Sequence, residues 1–291
     1  MWVNAEGKRV WVKYHFKTEQ GIQNFTAAEA QAMAGADPDF HRRDLFDSIQ
    51  RGEYPAWKLE MQIMPFEDAA TYRFNPFDLT KVWPHADYPP ITIGRLVLNR
   101  NPENFFAEIE QAAFEPSNMV QGIGPSPDKM LLGRLFSYHD THLYRIATKS
   151  QQLPVNRPVS EVHSYNQDGQ MRHTDRDNLP VYAPNSYGGP KADPNSSDPT
   201  WFVEAGEMVR HAYTLHAEDD DFIQAGMLYR DVMSPIDRDH LVSNLIGAMS
   251  GVEPLVLERS VNLWRQVDPD LGARVAQGVG LGTRGAAVAA D

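Results

Sequence analysis

The sequence predicts an α+β fold in three parts. Residues 1–101 contain runs in which apolar and polar side chains alternate, the period of half-buried antiparallel strands. Residues 102–217 hold one long helical pattern, residues 128–148, within a proline-rich stretch that has no sustained period. Residues 218–291 repeat their apolar side chains at helical spacing. We therefore expect an antiparallel β region, an irregular wrapping segment and a carboxy-terminal α-helical domain.

The first part is predicted to contain three strands and a helical insertion. Thr26, followed three residues later by Glu29, has the pattern of a capping box and starts a short helix. Residues 39–51 form a second helical pattern that ends before Gly52. The predicted strands are residues 8–16, 57–63 and 92–98.

The first strand has almost no partner before it in the sequence. Only Met1 to Val3 precede a turn at residues 4–7. A long strand with an open edge is normally covered in a folded protein. We therefore expect the sheet to continue in an amino-terminal portion outside this chain.

The remaining helices are predicted from their start signals. Asn101 with Pro102 predicts a helix to about Phe114, and Ser126-Pro127-Asp128 opens the long helix of residues 128–148. The predicted helices of the last part are residues 221–233, 234–250 and 253–267, with a weaker one from Pro269.

Composition excludes several classes of function. The 291 residues include no cysteine, so disulfide bonds and thiolate chemistry are absent. The net charge of −12 and the lack of a basic patch argue against binding nucleic acid or an anionic membrane surface. The sequence has no apolar run of about 18 residues and no secretion signal. We expect a cytoplasmic protein.

The long central helix carries the most informative set of polar side chains. Arg134, Tyr138, Thr141, His142 and Arg145 fall on one face of this helix. A guanidinium one turn from a phenol favours the phenolate, so Tyr138 is placed to act as an anionic oxygen ligand or as an acid. Tyrosinate is a known axial ligand of haem iron. The alternative is an ordinary amphipathic helix whose two arginines extend to solvent.

Other chemical patterns in the sequence are weak. His139 and His142 are three residues apart, as metal ligands on a helix are, but no third ligand lies nearby. The Gly122-Ile123-Gly124 turn is followed by proline and lacks the dinucleotide-binding pattern. A serine or cysteine nucleophile motif is also missing. These patterns leave the tyrosine helix as the candidate site.

Long motifs in the chain resemble those of a known family. Residues 124–131, continuing into residues 133–142, are similar to the proximal haem signature of the monofunctional haem catalases of the small-subunit type. The resemblance extends from residue 3 to about residue 270. Further matching blocks are residues 17–22, 74–85, 96–102 and 153–156. The resemblance implies the second half of a catalase-type antiparallel β-barrel, followed by the wrapping segment and the helical domain.

The resemblance assigns roles to the residues of the candidate site. It implies that Tyr138 is the proximal ligand of the iron of haem b and that Arg134 holds it ionised, so these two are the expected catalytic residues. Arg145 and His142 match positions near the haem edge and its propionates. The positions that match haem-packing residues are Met130 and Leu79.

The resemblance also implies an NADPH site. Lys17, Val82, Trp83 and His85 match part of the site found in small-subunit catalases. Alternatively, Trp83 and His85 simply pack a proline-rich turn. The chain departs from the family at His139, where proline is most common.

The implied activity is the decomposition of hydrogen peroxide to water and oxygen. The distal histidine and asparagine of the family lie in the amino-terminal half, which this chain does not contain. An alternative is therefore a truncated haem-binding or assembly chain with weak or no activity. The resemblance implies a homotetramer, although the arm that interweaves the subunits lies in the missing half.

Overall fold

The structure is a computed structural model that describes residues 1–159 and 220–281, together with residues 165, 168–170, 172, 178–188 and 191. Most of the predicted wrapping segment after residue 159 and the tail after residue 281 lie outside the described residues. The chain divides into two compact units. One comprises residues 1–20 and 45–210, and the other residues 21–44 and 211–291.

The first unit contains a curled antiparallel sheet of four strands in chain order. The strands are β1 (Trp2–Val3), β2 (Arg9–Thr18), β3 (Ala56–Pro65) and β4 (Ile91–Val97). β2 and β3 pair over nine of their ten residues, from Val10 opposite Pro65 to Thr18 opposite Trp57. A register shift between Leu59 and Glu60 interrupts the pairing of β3 with β4, as a β-bulge does where a sheet bends. The predicted strands are confirmed, each to within two residues at its ends.

The better-covered face of β2 is the one that carries Trp11. Trp11 is 9% exposed, lies in a core cluster with Met64 and Trp83, and stacks on the ring of Phe66 with the ring centres 5.0 Å apart. On the opposite face Phe16 is 56% exposed. The alternation in the sequence therefore predicted a strand but did not predict which face of it is covered. The residues that pack on the covered face belong to a loop that is distant in the sequence.

The long central helix α3 spans Lys129–Arg145. It begins at Asp128, whose side chain accepts a hydrogen bond from the Leu131 amide, as the start signal predicts. The expected continuation to residue 148 is wrong, because the helix ends at Ile146, whose φ of −121° and ψ of −82° are not helical.

The helix predicted from Asn101 to Phe114 is reduced to a π-helical turn, Phe106–Glu110. The Asn101 side chain donates to the carbonyl of Phe46 instead of capping a helix. Asn104 caps the turn by accepting from the Ala107 amide. Two further short turns of this unit are 3₁₀-helical, Glu67–Ala70 and Ser150–Gln152.

The second unit is helical. The Thr26–Glu29 capping box is present and starts α1 (Ala27–Ala36), and α2 is Phe40–Gln50, which continues into the first unit. The carboxy-terminal helices are α4 (Ile223–Met227), which continues as the π-helical turn Leu228–Val232, α5 (Pro235–Ala248), α6 (Pro254–Val267) and α7 (Pro269–Gly278). Proline at the first position of α5, α6 and α7 is typical of helix starts.

The core of this unit lies between α5, α6 and α7. Its buried members are Tyr229, Val242, Val261, Leu271, Val275 and Ala276. Gly272 of α7 lies so close to α6 that a Cβ atom there would be 2.6 Å from the Cα of Arg265. The two helices therefore meet at a position that excludes any side chain on α7.

Candidate functional site

The entry to α3 is fixed to the sheet by main-chain hydrogen bonds. The Val3 amide donates to the carbonyl of Gly122 at 2.9 Å, and the Gly124 amide donates to the carbonyl of Met1 at 3.0 Å. Gly122 has a φ of +87°, and a Cβ atom there would lie 3.0 Å from the Val3 oxygen. Glycine is therefore required by both the backbone angle and the close approach.

The structure brings Arg134 and Tyr138 together, as their spacing predicts. A guanidinium nitrogen of Arg134 donates to the Tyr138 phenol oxygen at 3.3 Å, and the guanidinium carbon lies 5.6 Å from the centre of the ring. Tyr138 is half-buried, whereas Arg134 is exposed. The cation therefore lies beside the phenol oxygen.

The other two predicted residues of the helix hold a neighbouring segment, residues 110–115. Two nitrogens of Arg145 donate to the carbonyls of Glu110 and Ala112, each at 2.6 Å. His142 is 7% exposed, and its Nε2 donates to the carbonyl of Phe114 at 2.9 Å. These contacts attach the last turns of α3 to the segment that precedes it in the sequence.

Sequence reasoning missed Glu115, which continues this attachment. His139 Nδ1 lies 2.8 Å from Glu115 Oε1, and the same carboxylate accepts from Ser117 Oγ at 2.9 Å and from Gln151 Nε2 at 3.2 Å. Its side chain is 5% exposed. Burial alone would raise the pKa of Glu115, but the hydrogen bonds from Gln151, Ser117 and His139 together lower it below its usual value. Its partners are far apart in sequence, so no local pattern indicated this cluster.

His139, His142 and Arg145 thus form one stripe, which we call the clamp stripe, at intervals of three residues along α3. Successive members are about one helical turn apart, so they lie on the same side of α3. From His139 to Arg145, they contact progressively earlier residues of the segment 110–115. Neither histidine belongs to a metal cluster, because the described part of the chain contains no group of three or more histidine, aspartate or glutamate side chains that could hold a metal ion.

The two predicted haem-packing residues expose apolar surface. Met130 is 57% exposed and lies one turn before Arg134 on the same face of α3. Leu79 is 61% exposed and lines a cavity of about 200 Å³ with Trp11, Trp83 and Asp128. Leu79 therefore lies near the beginning of α3, at the opposite end from Arg145.

The predicted NADPH residues are placed differently from one another. Lys17 and His85 are exposed, and Val82 is 61% exposed. Trp83 is only 4% exposed, and its indole Nε1 donates to the carbonyl of Pro76 at 2.9 Å. The Trp83 indole therefore packs the proline-rich turn, in the way that the alternative interpretation describes.

Two further residues join this region to the sheet. His15 lies two residues before Lys17 on β2, and its ring is 6.3 Å from the ring of His85. His15 Nε2 also lies 2.8 Å from Oε1 of Gln62, which is fully buried and donates to the carbonyls of Trp83 and Tyr88. His15 and Lys17 share a face of β2, which extends two residues beyond the predicted strand. Nothing in the sequence indicated that Gln62 holds the loop.

Comparison with solved structures shows that the fold is that of the catalases. A bacterial catalase has a TM-score of 0.84 and 44% identity, and the match covers 96% of this chain and 58% of that chain. Catalase A from Saccharomyces cerevisiae has a TM-score of 0.86 and 36% identity, over 96% of this chain and 58% of that chain.

Comparison with known sequences gives the family. The catalase family model matches residues 1–189, and a second model, described as catalase-related immune-responsive, matches residues 216–279. The catalase of Methanosarcina barkeri is 51% identical over 282 residues, and the bromoperoxidase-catalase of Streptomyces venezuelae is 51% identical over 282 residues. The chain belongs to the catalase family.

The chain spans little more than half the length of these relatives. It covers 55% of the Methanosarcina barkeri catalase and 58% of the Streptomyces venezuelae protein, while 96% of the chain itself is matched. In the part of the chain that the structure describes, no helix is long and apolar enough to cross a membrane.

Proposed function

We propose that this chain acts as a haem catalase, decomposing hydrogen peroxide to water and oxygen, with Tyr138 as the axial ligand of the iron of haem b. The observation that carries the proposal is the contact between the Arg134 guanidinium and the Tyr138 phenol oxygen at 3.3 Å. Family membership supports the same reaction.

The residues present fit a haem. Within the described residues the Tyr138 oxygen accepts a single hydrogen bond, from Arg134, so lone pairs remain for a metal. Met130, Leu79 and Phe114 expose apolar side chains of the kind that a flat macrocycle covers; Phe114 is 83% exposed. Arg145 pairs with no carboxylate among the described residues, so its charge suits an anionic propionate.

A bound haem would supply the redox chemistry of peroxide decomposition. The contribution of this chain is to hold an anionic ligand in place. Arg134 donates a hydrogen bond to the phenol oxygen. A tyrosinate bound to iron would be an anionic ligand, and such a ligand stabilises oxidised iron. The contacts of the clamp stripe with residues 110–115 hold in place the helix that carries both residues.

A second candidate function is haem binding with little turnover. It is favoured by the share of the relatives' length that the chain spans, 55% and 58%, because no residue of this chain matches the distal histidine and asparagine that the family resemblance implies. Acid–base help of the kind that such a histidine gives typically contributes about 10²- to 10⁴-fold to a rate.

Oxygen release separates the two functions. The full chain is loaded with haemin, and its rate of oxygen release from hydrogen peroxide is compared with that of free haemin at the same iron concentration. A rate at least about 100-fold above free haemin supports catalase activity. Bound haem with no excess rate contradicts catalase activity and supports the second function, and failure to bind haem contradicts both.

An NADPH site on the sheet is a further part of the proposal. Lys17, Val82 and His85 carry it, since they are exposed and His85 lies beside His15. The Lys17 ammonium suits a phosphate of a dinucleotide. Titration of the chain with NADPH, followed by nicotinamide fluorescence, tests it: Lys17→Ala is expected to weaken binding, and equal binding by this variant and the original chain contradicts the site.

The remaining proposals are a homotetramer, which rests on the family resemblance, and a cytoplasmic location and the three-part division of the chain at residues 101 and 217, which rest on the sequence patterns.

A further inference from the structure

The Glu115 carboxylate is the most heavily hydrogen-bonded buried acid near the candidate site. Its side chain is 5% exposed and holds three partners from three places in the chain: Ser117, His139 and Gln151. Ser117 and Gln151 fix the carboxylate from outside α3. His139 is therefore the side chain through which the fixed Glu115 carboxylate restrains α3.

His139 is directly adjacent to Tyr138. Successive side chains on an α-helix are separated by about 100° of rotation about its axis. If the His139 ring is held at 2.8 Å from a fixed carboxylate, rotation of this turn of α3 about its axis is opposed. The direction of the Tyr138 phenol depends on that rotation.

The contacts one and two turns later do not replace this one. His142 and Arg145 bind main-chain oxygens of residues 110–114, and both follow Tyr138 toward the end of α3. Of the groups that the clamp stripe contacts, Glu115 is the one bound to the helical turn that contains Tyr138. A side chain that serves as a ligand must be held to within about 0.5 Å of its working position.

We infer that Glu115, acting through His139, is a positioning residue for Tyr138: the pair sets the rotation of α3 so that the phenol oxygen faces the haem iron. This inference rests on the proposed function. It assigns to Glu115 and His139 a role in haem ligation without contact with the haem.

The test compares variants of the full chain by haemin titration. Glu115→Ala and His139→Ala are each expected to weaken haem binding by about 10-fold, the lower end of the loss seen for residues that support a metal ligand. The double variant is expected to be no weaker than the more affected single variant, because both remove the same contact. His139→Asn, which keeps an N–H near the Nδ1 position, is expected to restore binding.

Ser137→Ala is the matched control. Ser137 precedes Tyr138 as His139 follows it, it is exposed, and its side chain makes no hydrogen bond among the described residues. Its haem affinity and absorption spectrum are expected to equal those of the original chain. If Glu115→Ala does not fold, Glu115→Gln gives the same comparison with a smaller loss, since it keeps one acceptor oxygen and removes the charge.

Hydrogen exchange in the haem-free chain separates this inference from the proposed function. The amides of residues 135–145 are expected to exchange faster in Glu115→Ala and His139→Ala, and unchanged in Ser137→Ala. Unchanged exchange in the two variants overturns the inference, as does unchanged haem affinity or a purely additive double variant. If Tyr138→Phe binds haem as the original chain does, the proposed function fails, and the exchange result alone then decides whether the pair holds the helix.

Discussion

At the scale of single residues, the candidate site depends on cations and carboxylates that have defined partners. Arg134 contacts the phenol of Tyr138, whereas Arg145, eleven residues later on the same helix, binds two main-chain oxygens. The same residue type thus contacts an aromatic side chain at one position and attaches the helix to a neighbouring segment at the other. The two arginines differ because the segment beside Arg145 offers main-chain oxygens within hydrogen-bond distance, whereas Arg134 lies beside the Tyr138 phenol.

Arg145→Lys is expected to lower the free energy of unfolding of the first unit by about 1 kcal/mol. A lysine ammonium lacks the fixed fork that reaches the carbonyls of Glu110 and Ala112 together, and a hydrogen bond to a charged group contributes about 1.5–3 kcal/mol before exposure is considered. Urea unfolding measures the change. Arg51→Lys, which weakens a surface pair with Glu53, is the control and is expected to cost less. Equal effects of the two substitutions would contradict the role of Arg145.

Asp268 gives the helical unit a dependence on pH. Its side chain caps α7 and pairs with Arg230 at 2.9 Å. Burial alone would raise the pKa of Asp268, but hydrogen bonds from Arg230 and from the Leu271 and Asp270 amides together lower it. The stabilisation is therefore complete above the ordinary aspartate pKa of about 3.9 and is lost as the pH falls from there through the lowered pKa.

Hydrogen exchange of the α7 amides as a function of pH tests this prediction. The original chain is expected to lose protection below about pH 4, and Asp268→Asn is expected to be less protected at pH 7 and to change less on acidification. Asp231→Asn, at an exposed position, is the control. The same pH profile in the original chain and Asp268→Asn would show that this carboxylate is not responsible.

At the scale of the elements, close helix packing in the second unit requires glycine at one position. Gly272→Ala would place Cβ 2.6 Å from the Cα of Arg265, so α6 and α7 must separate. Overpacking of this kind costs about 1–3 kcal/mol. At Gly247 of α5 a Cβ atom meets nothing within 4 Å, so Gly247→Ala is expected to be neutral or stabilising. Thermal unfolding of the two variants measures the contrast, and a stable Gly272→Ala variant would contradict this packing.

The sequence predicted those elements whose signals are local. Alternation defined β2 and β3, and the predicted helices of residues 234–250 and 253–267 are present as α5 and α6. The helix from Asn101 was predicted too long, because the Asn101 side chain is used by the Phe46 carbonyl, 55 residues away. A competing partner at that distance has no local signature.

The candidate site, too, was predicted only where its signals are local in the sequence. The spacing of Arg134 and Tyr138 on one helix was enough to predict their contact, because both lie on a single regular element. Glu115 was missed because its partners are brought together by the fold. The roles of His142 and Arg145 at a haem edge stay predictions, and their observed partners are main-chain oxygens.

At the scale of the whole molecule, the chain combines the catalase fold with part of the length of its relatives. The matches cover 96% of the chain but 55% and 58% of two catalases of the family. Exposed apolar side chains lie around Tyr138 and on the face of β2 that carries Phe16, and a haem or another segment would cover them. The central claim is that the surface around Tyr138 binds haem, with Tyr138 as the ligand of the iron.

Resonance Raman spectroscopy of ferric haem bound to the full chain tests that claim most directly, since iron–phenolate vibrations report the ligand itself. The original chain and Tyr144→Phe, a control at a position that is 84% exposed on the same helix, are expected to show these vibrations. Tyr138→Phe is expected to lack them. The same iron–phenolate spectrum in Tyr138→Phe, or its absence from the haem-bound original chain, would contradict the assignment of Tyr138 as the ligand.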